Sequence, residues 1–240
     1  MPGFRWARDS KVSALNLSGL PSRVMSFGGR FSFDDNAETP NTYIAILDYQ
    51  PAPVIIEIRN LPQAAGQRVM DHRRGVRVGN IIQCEHGYFA GGRGGGWAYD
   101  NAGNKIKQFP GDNGGTHQAN FIDAVRSRKS GDLRAEILEG HLSSLLCHVA
   151  NISYRLGKAA SPEQMREAIY PQQQAQETLE RYCEHLLQYG VDLQKQPTIW
   201  GPWLALNAEK EKFVGNFAAE ANKFLTRRIY RKPFVVPKKV

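Results

Sequence analysis

Residues 138–157 read LEGHLSSLLCHVANISYRLG and form the clearest element of the sequence. Apolar residues recur there at steps of four and three, which is the spacing of one face of an α-helix. Gly157 follows the last of them, and glycine commonly ends a helix. The segment is therefore predicted to be a long helix with one continuous apolar stripe. The stripe consists of Leu138, Leu142, Leu145, Val149, Ile152 and Leu156.

The chain before this helix is predicted to be mainly β-structure. Short segments rich in β-branched and aromatic residues alternate there with turn residues, and residues 101–104 form a typical hairpin turn. In one segment Ile56 and Ile58 alternate with polar residues, which predicts one buried face. Strand length and turn spacing predict a largely antiparallel sheet of roughly six to eight strands. The predicted strands cover residues 23–33, 42–49, 54–59, 76–84, 88–90, 97–99 and 105–109.

Three further helices are predicted around the long one. The first begins after Thr116, a residue type that caps helices, and runs to about residue 128, with Gly131 beyond its end. Another covers about 174–188 and ends near Gly190. The last covers about 209–228. The inward residues predicted for the last two helices are Leu179, Tyr182 and Leu186, and then Phe213, Phe217, Ala221 and Phe224.

Strands followed by helices predict an α+β fold, with a large, mostly antiparallel open sheet and helices packed on one face. We expect an irregular segment over 1–20 and a single domain over 21–240. Within that domain the strands lie at about 23–109, the helices at about 116–228 and a C-terminal tail at 229–240. The open face of the sheet needs a cover, which predicts a homo-oligomer formed through that face.

The net charge of +8 is concentrated at one end of the chain. Lys and Arg number 31 against 23 Asp and Glu, but residues 221–240 hold seven of these bases and no acid. Residues 1–220 therefore hold 24 bases against 23 acids. A nucleic-acid-binding protein carries its positive charge over one face or along a helix. The charge distribution therefore predicts no nucleic-acid partner.

Secretion, membrane insertion and metal binding are not expected from the sequence. The first twenty residues contain charges and no continuous apolar core of a signal peptide, and no stretch approaches the ~18 apolar residues of a membrane span. The cysteines, Cys84, Cys147 and Cys183, are odd in number and widely spaced, which favours reduced thiols. The six histidines show no metal-binding spacing. We expect a cytoplasmic protein without a metal site.

A glycine cluster, Gly91-Gly92-Arg93-Gly94-Gly95-Gly96, invites comparison with a phosphate-binding loop. A dinucleotide-binding loop requires a strand before it and a helix after it. Here Trp97-Ala98-Tyr99 follows, which is a predicted strand. The cluster is therefore predicted to be a flexible loop or a hairpin tip, with a loop that closes over a ligand as the alternative.

Two groups of polar residues are candidates for binding a substrate. His141, Ser144, His148 and Asn151 share one polar face of the long helix, where they either hydrogen-bond the strands beneath or line a cleft that binds sugar hydroxyl groups. His117 and Asn120 lie in the first turn of the preceding helix. They either satisfy the helix end or meet a polar substrate there.

Four segments together resemble a known family. They are Gly28-Gly-Arg-Phe31 followed by Glu38-Thr-Pro-Asn-Thr42, then residues 115–128 (GTHQANFIDAVRSR), residues 140–157 and residues 230–237 (YRKPFVVP). In this order they resemble the C-terminal domain of bacterial Gfo/Idh/MocA-type oxidoreductases, over about residues 20–237. That family consists of NAD(P)-dependent dehydrogenases that act mostly on sugars and cyclitols. Arg30 and Asn41 lie in the first matching segment and join the substrate-binding candidates.

The resemblance implies the substrate-binding and oligomerisation half of such an enzyme. Family members add an N-terminal Rossmann domain for NAD(P), a catalytic Lys in a Glu-Lys-Pro segment, and an Asp-x-x-x-His motif. This sequence has none of the three. We therefore expect no cofactor bound by this chain alone, a sugar or sugar acid as ligand, and no catalytic residue that the sequence identifies.

Three hypotheses about function follow. The first is a fragment or truncated reading frame of a dehydrogenase that is inactive alone. In the second, the chain is a standalone carbohydrate-binding or oligomeric module that works with a Rossmann-domain partner on another chain. The third is an enzyme with different chemistry, in which His117, His141 or His148 acts as the base.

Overall fold

The computed structural model describes residues 19–169, 173–226, 233 and 235. These residues contain five α-helices and eleven strands, and the strands form two mostly antiparallel sheets. The predicted α+β class with an open sheet is confirmed. Residues 1–18 of the predicted irregular segment lie outside the described residues. So does the predicted tail, apart from Pro233 and Val235.

The strands and helices are numbered in chain order. The strands are β1 (Arg23–Gly29), β2 (Thr42–Leu47), β3 (Val54–Arg59), β4 (Asn80–Cys84), β5 (Gly87–Gly92), β6 (Gly95–Asp100), β7 (Lys105–Pro110), β8 (Lys158–Ala160), β9 (Thr198–Trp200), β10 (Leu204–Asn207) and β11 (Lys212–Val214). The helices are α1 (His117–Ser127), α2 (Ile137–Arg155), α3 (Pro162–Ile169), α4 (Gln173–Gln188) and α5 (Ala218–Ala221).

The chain divides into two compact units. Unit 1 contains the described residues of Arg59–Leu145 and Glu180–Asp192. Unit 2 contains the described residues of Leu17–Ile58, Leu146–Leu179 and Leu193–Val240. The single domain predicted over 21–240 stays a prediction.

Unit 2 is built around a seven-stranded sheet whose central strands are β1 and β2. The strand order is β11-β10-β1-β2-β3, and β9 pairs with both β1 and β8. Alternate residues of a strand point to opposite faces, so Val24 and Ser26 lie on one face of β1 while Met25 and Phe27 lie on the other. All four are completely buried. Both faces of β1 are therefore covered within the single chain.

Two buried serines attach α2 to β1. The Ser26 hydroxyl donates to the Ala150 carbonyl at 2.7 Å, and the Ser26 backbone N–H donates to Ser153 Oγ at 3.1 Å. Ser153 Oγ in turn donates to the Pro202 carbonyl at 2.8 Å. A Cβ at Gly201 would lie 2.4 Å from the Ser153 carbonyl oxygen, so only glycine fits where the chain passes α2 at this position.

The predicted apolar stripe of α2 is buried only toward the C-terminal end of the helix. Val149 and Ile152 are buried, whereas Leu138 is 54% exposed. The predicted helix is confirmed, and its apolar stripe is covered at the C-terminal end and exposed in the first turn. In α4 the prediction is confirmed, because Leu179, Tyr182 and Leu186 are all fully buried. That helix ends as expected at Gly190, which has a positive φ of 82°.

Unit 1 contains a four-stranded antiparallel sheet in the order β4-β5-β6-β7. The β6–β7 turn is the predicted hairpin at residues 101–104, closed by the Asp100 carboxylate, which accepts from the Asn104 backbone N–H at 2.8 Å. The glycine cluster is the predicted hairpin tip, since β5 ends at Gly92 and β6 begins at Gly95. The predicted strands thus fall into two sheets instead of one.

Two local predictions were wrong. Among its described residues, the segment predicted as a helix over 209–228 instead contains β11, one turn of α5 and a 3-10 turn over Asn222–Phe224, and Phe217 is 49% exposed. Ile58 on β3 is 48% exposed, because β3 is the last strand in its sheet order. The predicted end of α1 at about residue 128 is confirmed, since Arg128, with a positive φ of 59°, follows its last residue and Gly131 lies beyond it.

Replacing Ser153 by Ala is expected to lower the free energy of unfolding by about 1–3 kcal/mol, because the Ser26 N–H and the Pro202 carbonyl lose a buried partner. The matched control is Ser144→Ala, since Ser144 is exposed on the same helix and bonds only the Gly140 carbonyl, at 2.7 Å. That change should cost less than about 0.5 kcal/mol. Urea denaturation measures both values, and equal losses would contradict the buried serine link.

Candidate functional site

A cleft of about 610 Å³ opens in unit 2 where the chain leaves β1. The loop after β1 forms one wall, and residues of α2 and of the segment before β9 form the other. The lining combines a cation, a carboxylate, amide groups and aromatic rings. The lining residues are Gly29, Arg30, Phe31, Ser32, Phe33, Asp34, Tyr154, Gln196, Pro197 and Ile199.

Asn41, one of the predicted candidates, holds the loop of this cleft in place. Its Oδ1 accepts from the Phe31 N–H at 3.0 Å, and its Nδ2 donates to the Phe31 carbonyl at 2.8 Å. Asn41 is buried, as is the Phe31 side chain. Both ends of the Asn41 amide are therefore used within the protein, and Asn41 positions the loop of residues 31–40.

Arg30, another predicted candidate, lines the cleft directly. Its Nε donates to Asp35 Oδ1 at 2.7 Å, and its Nη2 contacts the other oxygen of the same carboxylate. Its Nη1 donates to the Thr39 carbonyl at 3.1 Å. The guanidinium lies 5.3 Å from the centre of the Phe33 ring, within the range of a cation–π contact.

The Arg30 guanidinium keeps the Asp35 carboxyl ionised. Its hydrogen bond is the main cause that holds the pKa of Asp35 below the ordinary value, and the Ala37 N–H adds to the effect. The same bond raises the pKa of Arg30. The wall of the cleft therefore presents a guanidinium that Asp35 holds beside the Phe33 ring, with 24% of the Arg30 side chain exposed.

Tyr154 contributes a phenol to the opposite wall of the cleft. Its ring meets that of buried Tyr43 edge-on, with 5.8 Å between the ring centres. Burial raises the pKa of both tyrosines above the ordinary value. At neutral pH the Tyr154 hydroxyl is therefore uncharged and is able to donate as well as accept a hydrogen bond.

His117 and Asn120 serve the fold of α1 in unit 1. His117 Nδ1 lies 2.5 Å from the Gly114 carbonyl oxygen, so the ring nitrogen donates. Asn120 Nδ2 donates to the Asp132 carbonyl at 2.7 Å, and its Oδ1 accepts from the Arg134 N–H at 2.9 Å. Of the two interpretations for this pair, these bonds match the satisfaction of chain ends.

Thr116 precedes α1 as predicted but does not cap it with its side chain. Its hydroxyl donates to Asp112 Oδ2 at 2.6 Å and accepts from Arg134 Nη1 at 2.6 Å. The bond from Thr116 is the main cause that lowers the pKa of Asp112. The polar groups around the start of α1 thus bond one another.

The polar face predicted for α2 is exposed. His141, Ser144, His148 and Asn151 are all exposed, and none lines either of the two clefts described here. Ser144 bonds back to the Gly140 carbonyl of its own helix. The bonds from α2 to β1 that the structure shows come from Ser153 and the Ala150 carbonyl, and both interpretations of the four polar residues stay predictions.

A second cleft, of about 330 Å³, lies in unit 1. Its most buried charged side chain is Arg59, 8% exposed, whose Nη1 donates to Asp71 Oδ2 at 2.9 Å. His185 also lines it, and His185 Nε2 lies 2.8 Å from the Pro62 carbonyl oxygen. Neither residue was predicted for this role, because Arg59 and His185 are far apart in the chain.

The glycine cluster does not fit the nicotinamide cofactor that the family resemblance implies. Its turn joins two antiparallel strands, so the strand–loop–helix order that a dinucleotide-binding loop requires is not present. A Cβ on Gly91 or Gly96 would lie 2.7 or 2.6 Å from the tip of the Phe89 ring. The glycines make room for that ring, which accounts for the cluster by packing.

The described residues also bear on metal and membrane binding. Among them, no group of three or more His, Cys, Asp or Glu side chains is placed to hold a metal ion. None of the helices in the described ranges is both long and apolar enough to cross a membrane.

No known family model, curated protein or solved structure matches this chain. The function of the cleft in unit 2 therefore has to be inferred from its own residues.

The Arg30–Asp35 pair predicts that Asp35 titrates below its ordinary value of 3.8 and that Arg30→Gln raises its pKa. Because the pKa is lower in the folded state, the pair stabilises the fold above the unfolded-state pKa. That stability is lost as the pH falls through the folded-state pKa. NMR titration of the Asp35 carboxyl carbon measures the shift. Asp112 is the control, and an unchanged Asp35 value in the variant would contradict the assignment.

Proposed function

We propose that this chain binds a sugar or sugar acid in the cleft of unit 2, as the substrate-binding domain of an NAD(P)-dependent oxidoreductase of the Gfo/Idh/MocA type. The observation that carries the proposal is the lining of that cleft. It combines Arg30, which Asp35 holds in place from outside the lining, with the Asp34 carboxylate, the Phe33 ring and the Tyr154 phenol. Four sequence segments that resemble this family, two of which contribute to the cleft walls, support the same class of ligand.

The lining suits a hydroxyl-rich ligand with a negative charge. Sugar hydroxyl groups both donate and accept, so they pair with the Tyr154 hydroxyl and with the amide of Gln196. Arg30 uses three of its five N–H groups on Asp35 and Thr39, and the partly exposed guanidinium keeps one on Nη1 and one on Nη2 for a carboxylate of the ligand. Phe33, 49% exposed, provides an apolar surface for the C–H face of a sugar ring.

The role of the chain in this proposal is to bind and orient the sugar. A separate Rossmann domain would hold the nicotinamide cofactor, since the glycine-rich hairpin of this chain does not fit one. The chain alone is then inactive as a dehydrogenase. His117, His141 and His148 are exposed and line neither cleft, so no observation favours the hypothesis of different, histidine-based chemistry.

Arg30→Gln is expected to weaken glucuronate binding about tenfold or more, because the charged partner of the carboxylate is lost. Tyr154→Phe should weaken the binding of both glucuronate and glucose, since it removes only the hydroxyl group that pairs with sugar hydroxyl groups. The measurement is NMR or calorimetric titration with the two sugars.

The matched control is Arg23→Gln. Arg23 also pairs with an aspartate, Asp48, at 2.5 Å, but it does not line the cleft. The affinity of Arg23→Gln for both sugars should stay within about twofold of that of the unchanged protein. Equal loss in Arg23→Gln and Arg30→Gln, or no saturable binding of either sugar, would overturn the proposed function.

We also propose that the chain self-associates through an open sheet face, which the four-stranded sheet of unit 1 offers. All six residues of its edge strand β7 are exposed. Phe109 is 45% exposed and packs edge-on against Phe89, with 6.0 Å between the ring centres. An exposed aromatic face next to an unpaired strand edge is the kind of surface that a second copy covers.

Light scattering is expected to give at least twice the mass of one chain, and Phe109→Asp should return the mass to that of a monomer. A charge placed in an apolar interface costs several kcal/mol, which is enough to separate a weak dimer. Val69→Asp is the control, because Val69 is exposed but lies outside the sheet. A strictly monomeric unchanged protein would contradict self-association.

A further inference from the structure

One face of the four-stranded sheet in unit 1 carries aromatic rings with cations placed over them. Tyr88 and Tyr99 are cross-strand partners on β5 and β6, and Trp97 lies on the same face as Tyr99. Lys105 of β7 pairs with Tyr99 and places its ammonium 4.6 Å from the Trp97 ring centre. Arg74 covers Tyr88. This surface, called the cationic face below, consists of Arg74, Tyr88, Trp97, Tyr99 and Lys105.

The turn before β4 fixes Arg74 in its position. Arg73 and Val76 exchange two backbone hydrogen bonds, of 3.1 and 2.9 Å, across the turn of Arg74 and Gly75. Both turn residues have positive φ, 49° and 77°, as a tight two-residue hairpin requires. The Arg74 guanidinium carbon consequently lies 3.6 Å from the Tyr88 ring centre.

The rings of the cationic face are partly covered by one another and by the two cations. Tyr88 and Tyr99 are stacked on each other, with ring centres 4.8 Å apart and planes 12° apart. The Arg74 guanidinium and the Tyr99 ring both lie against the ring of Tyr88. They are too close to it to fit on the same side, so they occupy its two faces. Recognition of single-stranded nucleic acid depends on bases that stack on open ring faces. The cationic face instead offers charge.

The local charge is positive although the chain before residue 221 is nearly neutral. Residues 68–110 contain seven Lys and Arg against three Asp and Glu. Two of those acids are engaged elsewhere: Asp71 with Arg59, and Asp100 with the Asn104 amide at 2.9 Å. Arg74 and Lys105 are exposed. The cationic face therefore complements a polyanion.

We propose that the cationic face binds an acidic polysaccharide through the carboxylates of its uronic acid units. Arg74 lies over Tyr88 of β5 and the Lys105 ammonium lies over Trp97 of β6, one strand spacing across and two residues along the sheet, so the two cations are separated by roughly 8 Å. Two exposed cations on one face can each meet a carboxylate of a polymer that carries one charge on each sugar ring. The choice of a glycan rests on the proposed function, in which unit 2 binds a sugar acid.

The experiment is a titration with an oligogalacturonate of defined length, at low and at physiological salt. A neutral dextran oligosaccharide and an oligothymidylate of similar length serve as the other probes. We expect saturable binding of oligogalacturonate that weakens with salt, no binding of dextran, and weaker binding of oligothymidylate. Oligothymidylate binding as tightly as oligogalacturonate, or no oligogalacturonate binding at millimolar concentration, overturns the proposal.

Two charge-removing variants on the same strand give a matched pair. Lys105→Gln is expected to weaken oligogalacturonate about fivefold and to lower the salt slope by about one, as the loss of one contacting cation does. Lys107→Gln removes the same charge from the opposite face, where Lys107 lies 5.2 Å from the Phe109 ring centre, and should leave the affinity within about twofold. Equal weakening by both variants overturns a specific face.

Arg74→Asn tests the second cation, because asparagine accepts the positive φ of the turn. It is expected to weaken oligogalacturonate about fivefold, with an unchanged circular dichroism spectrum. Glucuronate binding in the unit 2 cleft should be unaffected by Lys105→Gln. Arg30→Gln should in turn leave oligogalacturonate binding intact, so failure of one proposal is distinguishable from failure of the other. An unchanged affinity in both Arg74→Asn and Lys105→Gln overturns the assignment.

Discussion

The buried hydrogen bonds from Ser26 to Ser153 Oγ and to the Ala150 carbonyl fix the position of α2 on the sheet of unit 2. A hydroxyl buried without a partner costs free energy, so each serine has to meet a partner at a particular distance. Apolar contacts between Val149, Ile152 and the sheet tolerate small shifts, whereas these bonds do not. The helix is thereby held in one register on β1. Tyr154, the next residue on the helix, is consequently brought to the end of β1, where the cleft opens.

Close backbone approach and a clamped loop complete the other wall of that cleft. A Cβ at Gly28 would lie 2.4 Å from the Thr42 carbonyl oxygen, so β1 and β2 come together here only because the residue is glycine. At Gly29 the Phe31 ring occupies the position of a side chain, with its tip 2.4 Å from where a Cβ would stand. Asn41 then bonds Phe31 on both backbone groups. With Phe31 held in this way, its neighbours Arg30 and Phe33 face the cleft.

Periodicity predicted those elements whose packing follows from their own sequence. The apolar steps in α4 and the strands β1 and β2 are of this kind. The hairpin of β10 and β11 is not, because Phe213, Phe217 and Ala221 satisfy a helical period. In the structure, β10 instead pairs antiparallel with β1 through Leu204 and Ala205. Gly215, with a φ of 69°, interrupts the predicted helix. Short strands whose partners are distant in sequence leave no local signal.

The candidate site was predictable to the same limited extent. Arg30 was found because it lies in a segment with a recognisable pattern. Tyr154 and Gln196 join it through contacts over more than a hundred residues, which no local pattern encodes. The polar face of α2 misled for a related reason. Helical spacing shows which residues share a face but not whether that face meets the sheet, and here the buried polar group is Ser153, on the face that carries Val149 and Ile152.

The charge of unit 1 shows why a total over the chain is a poor guide to a surface. Residues 1–220 hold nearly equal numbers of bases and acids, yet three cations of the four-stranded sheet region lie over aromatic rings, those of Tyr88, Trp97 and Phe109. A cation–π contact at an exposed site contributes about 0.5–1 kcal/mol, so each contact is accounted for by local stability. Stability alone does not require two of the three cations to share a face and to flank one stacked pair of tyrosines. Lys107, on the opposite face, makes the same kind of contact but does not flank the stacked tyrosines. Because Arg74 and Lys105 share one face of the sheet, both can contact the same ligand.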